Sequence, residues 1–166
     1  MNNQKLSTIS ISEDLVNRDL RQLILSYVGS YITDYTVYFS GNFIFLDLKL
    51  QIKTLGPISA RYKLNIINFT FNQQAHIIEF AYEEDVQSTS NPLQGMLVKA
   101  MGLTQGTFLQ KAIALTNPPG IRADSKNCSI DLEQFLNLNQ GHVSKLSLNY
   151  LDSYNRTLQF AFRIQP

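Results

Sequence analysis

The sequence predicts an α+β domain. A long, strongly curved antiparallel sheet, laid down as a meander, wraps along a long N-terminal helix, with a second apolar helix and a C-terminal hairpin. Three observations predict it. The hydrophobic period changes from about 3.6 to 2 residues after Asp34. Two of the strands that follow run for about twelve and fifteen residues, roughly 40–50 Å, when five or six residues is usual. Between Val86 and Ile121 the only charges are Lys99 and Lys111.

The first element is a helix over residues 10–31. Ser10 and Glu13 have capping-box spacing. Val16, Leu20, Leu23, Ile24, Tyr27, Val28 and Tyr31 recur at three and four, with Asn17, Arg18, Asp19, Arg21 and Gln22 on the polar side. The residues before it, 1–9, read as a flexible N-terminal segment of a single domain spanning 1–166.

The meander follows. Tyr35, Val37 and Phe39 alternate up to the turn Ser40-Gly41-Asn42. Ile44, Leu46, Leu48, Leu50 and Ile52 then form an unbroken row against Asp47, Lys49, Gln51 and Lys53, while Phe43 and Phe45 make the opposite face apolar at that end. After Leu55-Gly56-Pro57, the row Ile58, Ala60, Tyr62, Leu64, Ile66 slips phase to Ile67, Phe69 and Phe71, which reads as a β-bulge at Ile66-Ile67. Ile78, Phe80 and Tyr82 continue the core face until Glu83-Glu84-Asp85 closes the strand. Strands this long coil under their own twist, hence the expected curvature.

Asn91-Pro92 opens the second helical region, over 92–115. It is interrupted between Gly102 and Gly106, restarts on a Thr107/Gln110 capping box and ends at Pro118-Pro119-Gly120. Ile121–Ala123 and Cys128 to Ile130 flank a turn, Asp131 with Gln134 starts a short helix, and two strands close the chain around a turn near Asp152 to Arg156.

Composition narrows the function. Charged residues make up 16% of the 166 residues, against about 25% in ordinary domains. A net charge of +1 with no basic cluster excludes a nucleic-acid binder, whose affinity grows with the Lys and Arg that displace counterions. No apolar stretch reaches the roughly 18 residues of a membrane span, and no signal peptide is visible. The compartment stays open: cell envelope or secreted only if an export signal has been removed, otherwise cytoplasmic.

Catalytic and metal chemistry is sparse. His76 and His142 sit where solvated loop histidines sit, far apart in sequence and without a metal-binding motif. Glu83-Glu84-Asp85 diverges across a strand and reads as a solvated end. Cys128, alone of its kind, reads as a small buried hydrophobe. A non-enzyme with no metal and no cofactor is expected.

The candidate site is apolar: Leu20, Ile24, Leu46, Leu48, Leu50, Tyr62, Leu64, Phe80, Met96, Leu97, Met101 and Phe108. These side chains either fill an ordinary core or line a seam between sheet and helices that takes a lipid or other apolar small molecule. Met96, Met101 and the glycines at 95, 102 and 106 favour the seam, since methionine adapts to irregular partners and glycine lowers the wall of a groove. The alternative is a protein-interaction or assembly module using the helix over 92–115 or an open sheet edge, with a protein partner or a second copy of the chain.

The order of these elements (opening helix, meander over 35–86, apolar helix, closing strands over 143–164) resembles the tubular lipid-binding superfamily, the bactericidal/permeability-increasing-protein-like fold. The resemblance implies a highly curved sheet around a long helix, with lipid in the tube between them. It also implies the alternative, because a branch of that superfamily without export signals serves in protein complexes.

Overall fold

The computed structural model describes residues 7–53, 56–88, 95–96, 106–136 and 145–164. Within these, nine strands form one antiparallel sheet: β1 Ser7–Ser12, β2 Ile32–Ser40, β3 Phe43–Ile52, β4 Gly56–Phe71, β5 His76–Ser88, β6 Ile121–Ala123, β7 Asn127–Asp131, β8 Leu146–Tyr154 and β9 Thr157–Ile164. The helices include α1 Arg21–Val28, entered through a π-helical turn at Leu15–Asp19, and α2 Phe108–Thr116; Gly95 and Met96 are also helical. A 3-10 turn covers Leu132–Gln134.

The meander β2–β5 forms in the expected register. Val37 faces Leu46, Leu46 faces Tyr62 and Leu64 faces Tyr82, so the alternating apolar rows lie on one face. Gly41, at φ 57°, takes the left-handed conformation that the β2–β3 turn needs. The register shifts between Ile66 and Asn68, placing the bulge at Ile67 as the phase slip predicts. The C-terminal hairpin β8–β9 also forms, turning on Asn155 and Arg156, both at positive φ. On the opposite face Arg61 holds Asp47 in a two-bond fork at 2.6 and 2.7 Å, and Lys63 pairs with Glu83 at 3.2 Å.

Two expectations fail. Among the described residues there is no long N-terminal helix, and the sheet is neither closed nor strongly curled. Ser7–Ser12 is a strand that pairs with β9, Ile9 opposite Phe160 and Ile11 opposite Leu158. The alternation of Ile9 and Ile11 with Ser and Thr is a period-2 signal, and β-branched side chains suit it. Ser7, Thr8 and Ile9, expected in a loose segment, thus belong to the sheet. The cap is Ser12, whose Oγ accepts from the Leu15 amide at 3.1 Å, and Glu13 is drawn elsewhere. The helix that remains stops at Val28, ahead of Gly29.

The lack of curl has its own cause. β4 is paired with β3 over residues 56–64, but its last residue, Phe71, pairs with Leu148 of β8. Beyond the bulge one edge of β4 therefore changes partner, and the sheet forks into β2–β3 on one side and β8–β9–β1 on the other. A forked sheet spreads over two hairpins instead of rolling along a rod. β5 also runs past Glu83-Glu84-Asp85 to Ser88. Of the expected helix over 92–115, α2 covers its last part; 89–94 and 97–105 lie outside the described residues.

The apolar face carries two clusters. One joins Leu50, Ile58, Ala60, Tyr62, Tyr82, Cys128 and Phe108, with Leu109 and Ala112 of α2 packed on it. The other joins Tyr35, Val37, Phe39, Ile44 and Phe80, covered by Val16, Ile24 and Leu25. Each fully buried aliphatic or aromatic side chain contributes about 1.5–3 kcal/mol.

Candidate functional site

The space between these two covers is the site. α1 lies against β2 and α2 against β5 and β6, and neither closes the strip of sheet between them. Leu48, Leu50 and Ile52 of β3 and Tyr62 of β4 form its floor; Phe108, Leu109, Ala112 and Ile113 of α2 form one wall, and Tyr27, Val28 and Tyr31 at the end of α1 form the other. The cavity measures about 460 Å³, inside the range of about 300–1,000 Å³ that small-molecule sites occupy.

Local sequence places each wall. Thr107 is extended, and its Oγ1 accepts from the Gln110 amide at 3.2 Å, so α2 starts where the capping box predicts. Glu84, on the apolar face of β5, accepts from the amides of Phe108 at 2.5 Å and Leu109 at 3.0 Å. A carboxylate at a helix N-terminus satisfies orphan donors and complements the dipole. The Tyr82 hydroxyl bonds the Thr107 hydroxyl and donates to the Asp124 carbonyl at 2.7 Å. At the other end Asn117 turns left-handed, φ 43°, with its amide on the Ile113 carbonyl at 2.7 Å, and Pro118-Pro119 leads the chain across the rim. Gly120, at φ 72°, lets Gln134 close against it, since a Cβ there would lie 2.6 Å from Gln134 Cγ.

No charged side chain lines the cavity among the described residues. Tyr62 is 2% exposed, and burial, then Glu84, push its hydroxyl well above the ordinary phenol range, so it stays a neutral hydrogen-bonding group. The depression on the opposite face is of another kind. Asp34, Asp47, Lys49, Arg61 and Asp85 line it, and Asp34 pairs there with Arg21 and Lys49 while Asp47 pairs with Arg61. It is an ion-pair network open to solvent.

Of the residues expected at the site, Leu48, Leu50, Tyr62 and Phe108 meet in the cavity. Leu46 and Leu64 pack between the two clusters, Ile24 covers the second and Phe80 is buried in it, so these fill core. Leu20 is half-buried at the start of α1. Met96 is 68% exposed, and Leu97 and Met101 lie outside the described residues. Glu84 was missed: the three acids read as a solvated strand end, although alternation from Tyr82 puts the middle one on the inward face.

His76 is also corrected. It is fully buried, its Nδ1 2.7 Å from Glu133 Oε1 and its ring edge-on to Phe71 at 4.4 Å. Its Nε2 has no partner among the described residues. His142 lies outside them. Cys128 is buried as expected, and burial raises its thiol to about 11. Among the described residues no group of His, Cys, Asp and Glu could hold a metal ion, and no helix is long and apolar enough to cross a membrane.

Compared with family models, with curated proteins and with solved structures, the chain has no significant match.

Proposed function

We propose that this protein is a non-enzymatic binder of a lipid or other small apolar molecule, held between α2, the end of α1 and the β3–β4 floor. The observation that carries the reading is the uncharged cavity of about 460 Å³ on a face whose remaining apolar side chains are packed. Desolvating a ligand's apolar surface against Leu48, Leu50, Ile52, Phe108 and Ile113 supplies roughly 25 cal/mol per Å² buried. The polar groups at the rim are hydroxyls and amides such as Tyr31, Asn117 and Gln134. They orient a ligand but supply no base to activate a nucleophile.

Native mass spectrometry of freshly purified protein, followed by organic extraction, tests the reading. One apolar molecule per chain, or saturable uptake of the uncharged dye Nile red by stripped protein, is expected. Recovery of nothing together with no dye uptake overturns it.

One observation favours the alternative of an interaction module. β1 ends the sheet with Ser7–Ser10 exposed, and it carries no charge and no proline between Ser7 and Ser12. Charges and prolines are the usual devices that keep an edge from pairing with another chain. Concentration-dependent association in the ultracentrifuge, lost in Ser10→Lys, supports that use of the edge; a monomer at all concentrations argues against self-pairing.

A further inference from the structure

We infer that the ligand of this cavity is uncharged, a chain or ring system ending in a neutral hydrogen-bonding group such as an alcohol, ester or amide. The inference rests on the binding reading above and concerns what the site selects. Three features of the cavity bear on it.

The described lining offers no cation for a carboxylate or phosphate and no anion for an ammonium. An ion carried into such surroundings without a partner loses its hydration for nothing and costs several kcal/mol. The two ends of α2 add a sign. Its N-terminal amides, the groups that would ordinarily receive an anion, are already occupied by the carboxylate of Glu84. Its C-terminal end, where the partial charge is negative, lies on the cavity rim at Thr116 and Asn117. An anionic head group finds the helix amides already taken at one end of the wall and helix carbonyls at the other.

What the cavity does offer is neutral. Tyr27, Tyr31, Asn117 and Gln134 around the opening carry hydroxyls and amides, which donate and accept. A hydroxyl or ester oxygen exchanges its water hydrogen bonds for these at little net cost. A fatty acid anion has no such exchange for its charge. The site is therefore built for neutral lipids and alcohols and against fatty acids and phospholipid head groups.

The test is displacement of Nile red from the full chain at pH 7.4 by a chain-matched set, 1-decanol, decanoate and decylammonium, repeated on Gln134→Lys. In the wild type, 1-decanol should displace dye at concentrations lower by about tenfold or more than either ion. A rim lysine should raise decanoate affinity by about tenfold relative to that of 1-decanol, which separates selection by the site from simple partitioning. Decanoate or decylammonium as potent as 1-decanol, or a lysine that leaves decanoate unaffected, overturns the inference while bound dye keeps the apolar site. Absence of saturable dye binding in the wild type removes the underlying reading instead.

Discussion

The side-chain amide of Asn17 stands in for a neighbouring strand on Val37. Its Nδ2 donates to the Val37 carbonyl at 2.7 Å and its Oδ1 accepts from the Val37 amide at 2.7 Å. The pattern extends in both directions. Glu13 Oε1 accepts from the Phe39 amide at 2.7 Å, and Arg21 donates to the Tyr35 carbonyl at 2.9 Å. Side chains at 13, 17 and 21, carried by the π-helical turn, the residues leading into it and the start of α1, thus match the outward backbone groups at 39, 37 and 35. Glu13, 5% exposed, also joins the β8–β9 turn through Arg156, at 2.7 and 2.8 Å. The edge of β2 is thereby satisfied by side chains and closed to pairing with another chain.

Asn17→Ala should lower stability by about 1–3 kcal/mol, because it strips both partners from a buried strand residue. Urea denaturation followed by circular dichroism measures this. A neutral or slightly stabilising effect, which alanine's better helix propensity would give on a solvent-facing turn, would mean that the amide does not pair with β2.

Glu84→Gln should loosen α2 without unfolding the sheet. The neutral amide keeps the shape but loses the charge-assisted bonds to the helix end, a cost of about 1–2 kcal/mol. Amide hydrogen exchange should speed up at Phe108 and Leu109 and stay unchanged in β4 at Ile58 and Tyr62. Uniform acceleration throughout the chain would place Glu84 in the global core instead of at the helix.

Cys128 supplies a pH prediction. Its thiol is raised to about 11 in the folded chain from an ordinary 9.0. Below pH 9 the thiol is protonated in both folded and unfolded chains, and its contribution to stability is fully present. As pH rises from 9 through about 11 the unfolded chain ionises first, so that stability is lost. Iodoacetamide at pH 9 should leave the native protein unmodified and alkylate the unfolded one. Denaturation midpoints should fall more steeply between pH 9 and 11 in the wild type than in Cys128→Ala. Equal slopes would show that the thiol is not buried.

Where period-2 alternation was long, it was a reliable guide to the fold. The rows Ile44 to Ile52 and Ile58 to Ile66 form β3 and β4 in register, and the slip at Ile67 is a real bulge. The N-terminal helix was misread for a physical reason. Its apolar stripe looked inward, yet Leu23 and Tyr27 are each 51% exposed, while polar Asn17 and Arg21 face the protein. Amphipathic periodicity assumes that a helix packs on side chains; this one packs partly on a strand edge, whose bare amides and carbonyls need polar partners. Ser7–Ser12 was short enough for its alternation to be overlooked. At the site, sequence indicated which rows are apolar, and Leu48, Leu50, Tyr62 and Phe108 do line the cavity. It could not separate them from Leu46, Leu64 and Phe80, because the division between core and cavity depends on where α1 and α2 stop.

Ile113→Trp tests most directly whether an apolar ligand occupies the space between α1 and α2, since Ile113 lines the cavity but belongs to neither packed cluster. The added ring should fill the opening, abolish saturable Nile red binding and leave the thermal midpoint within a few degrees of wild type. Dye binding by a folded Ile113→Trp with the stoichiometry and affinity of the wild type would contradict that occupancy.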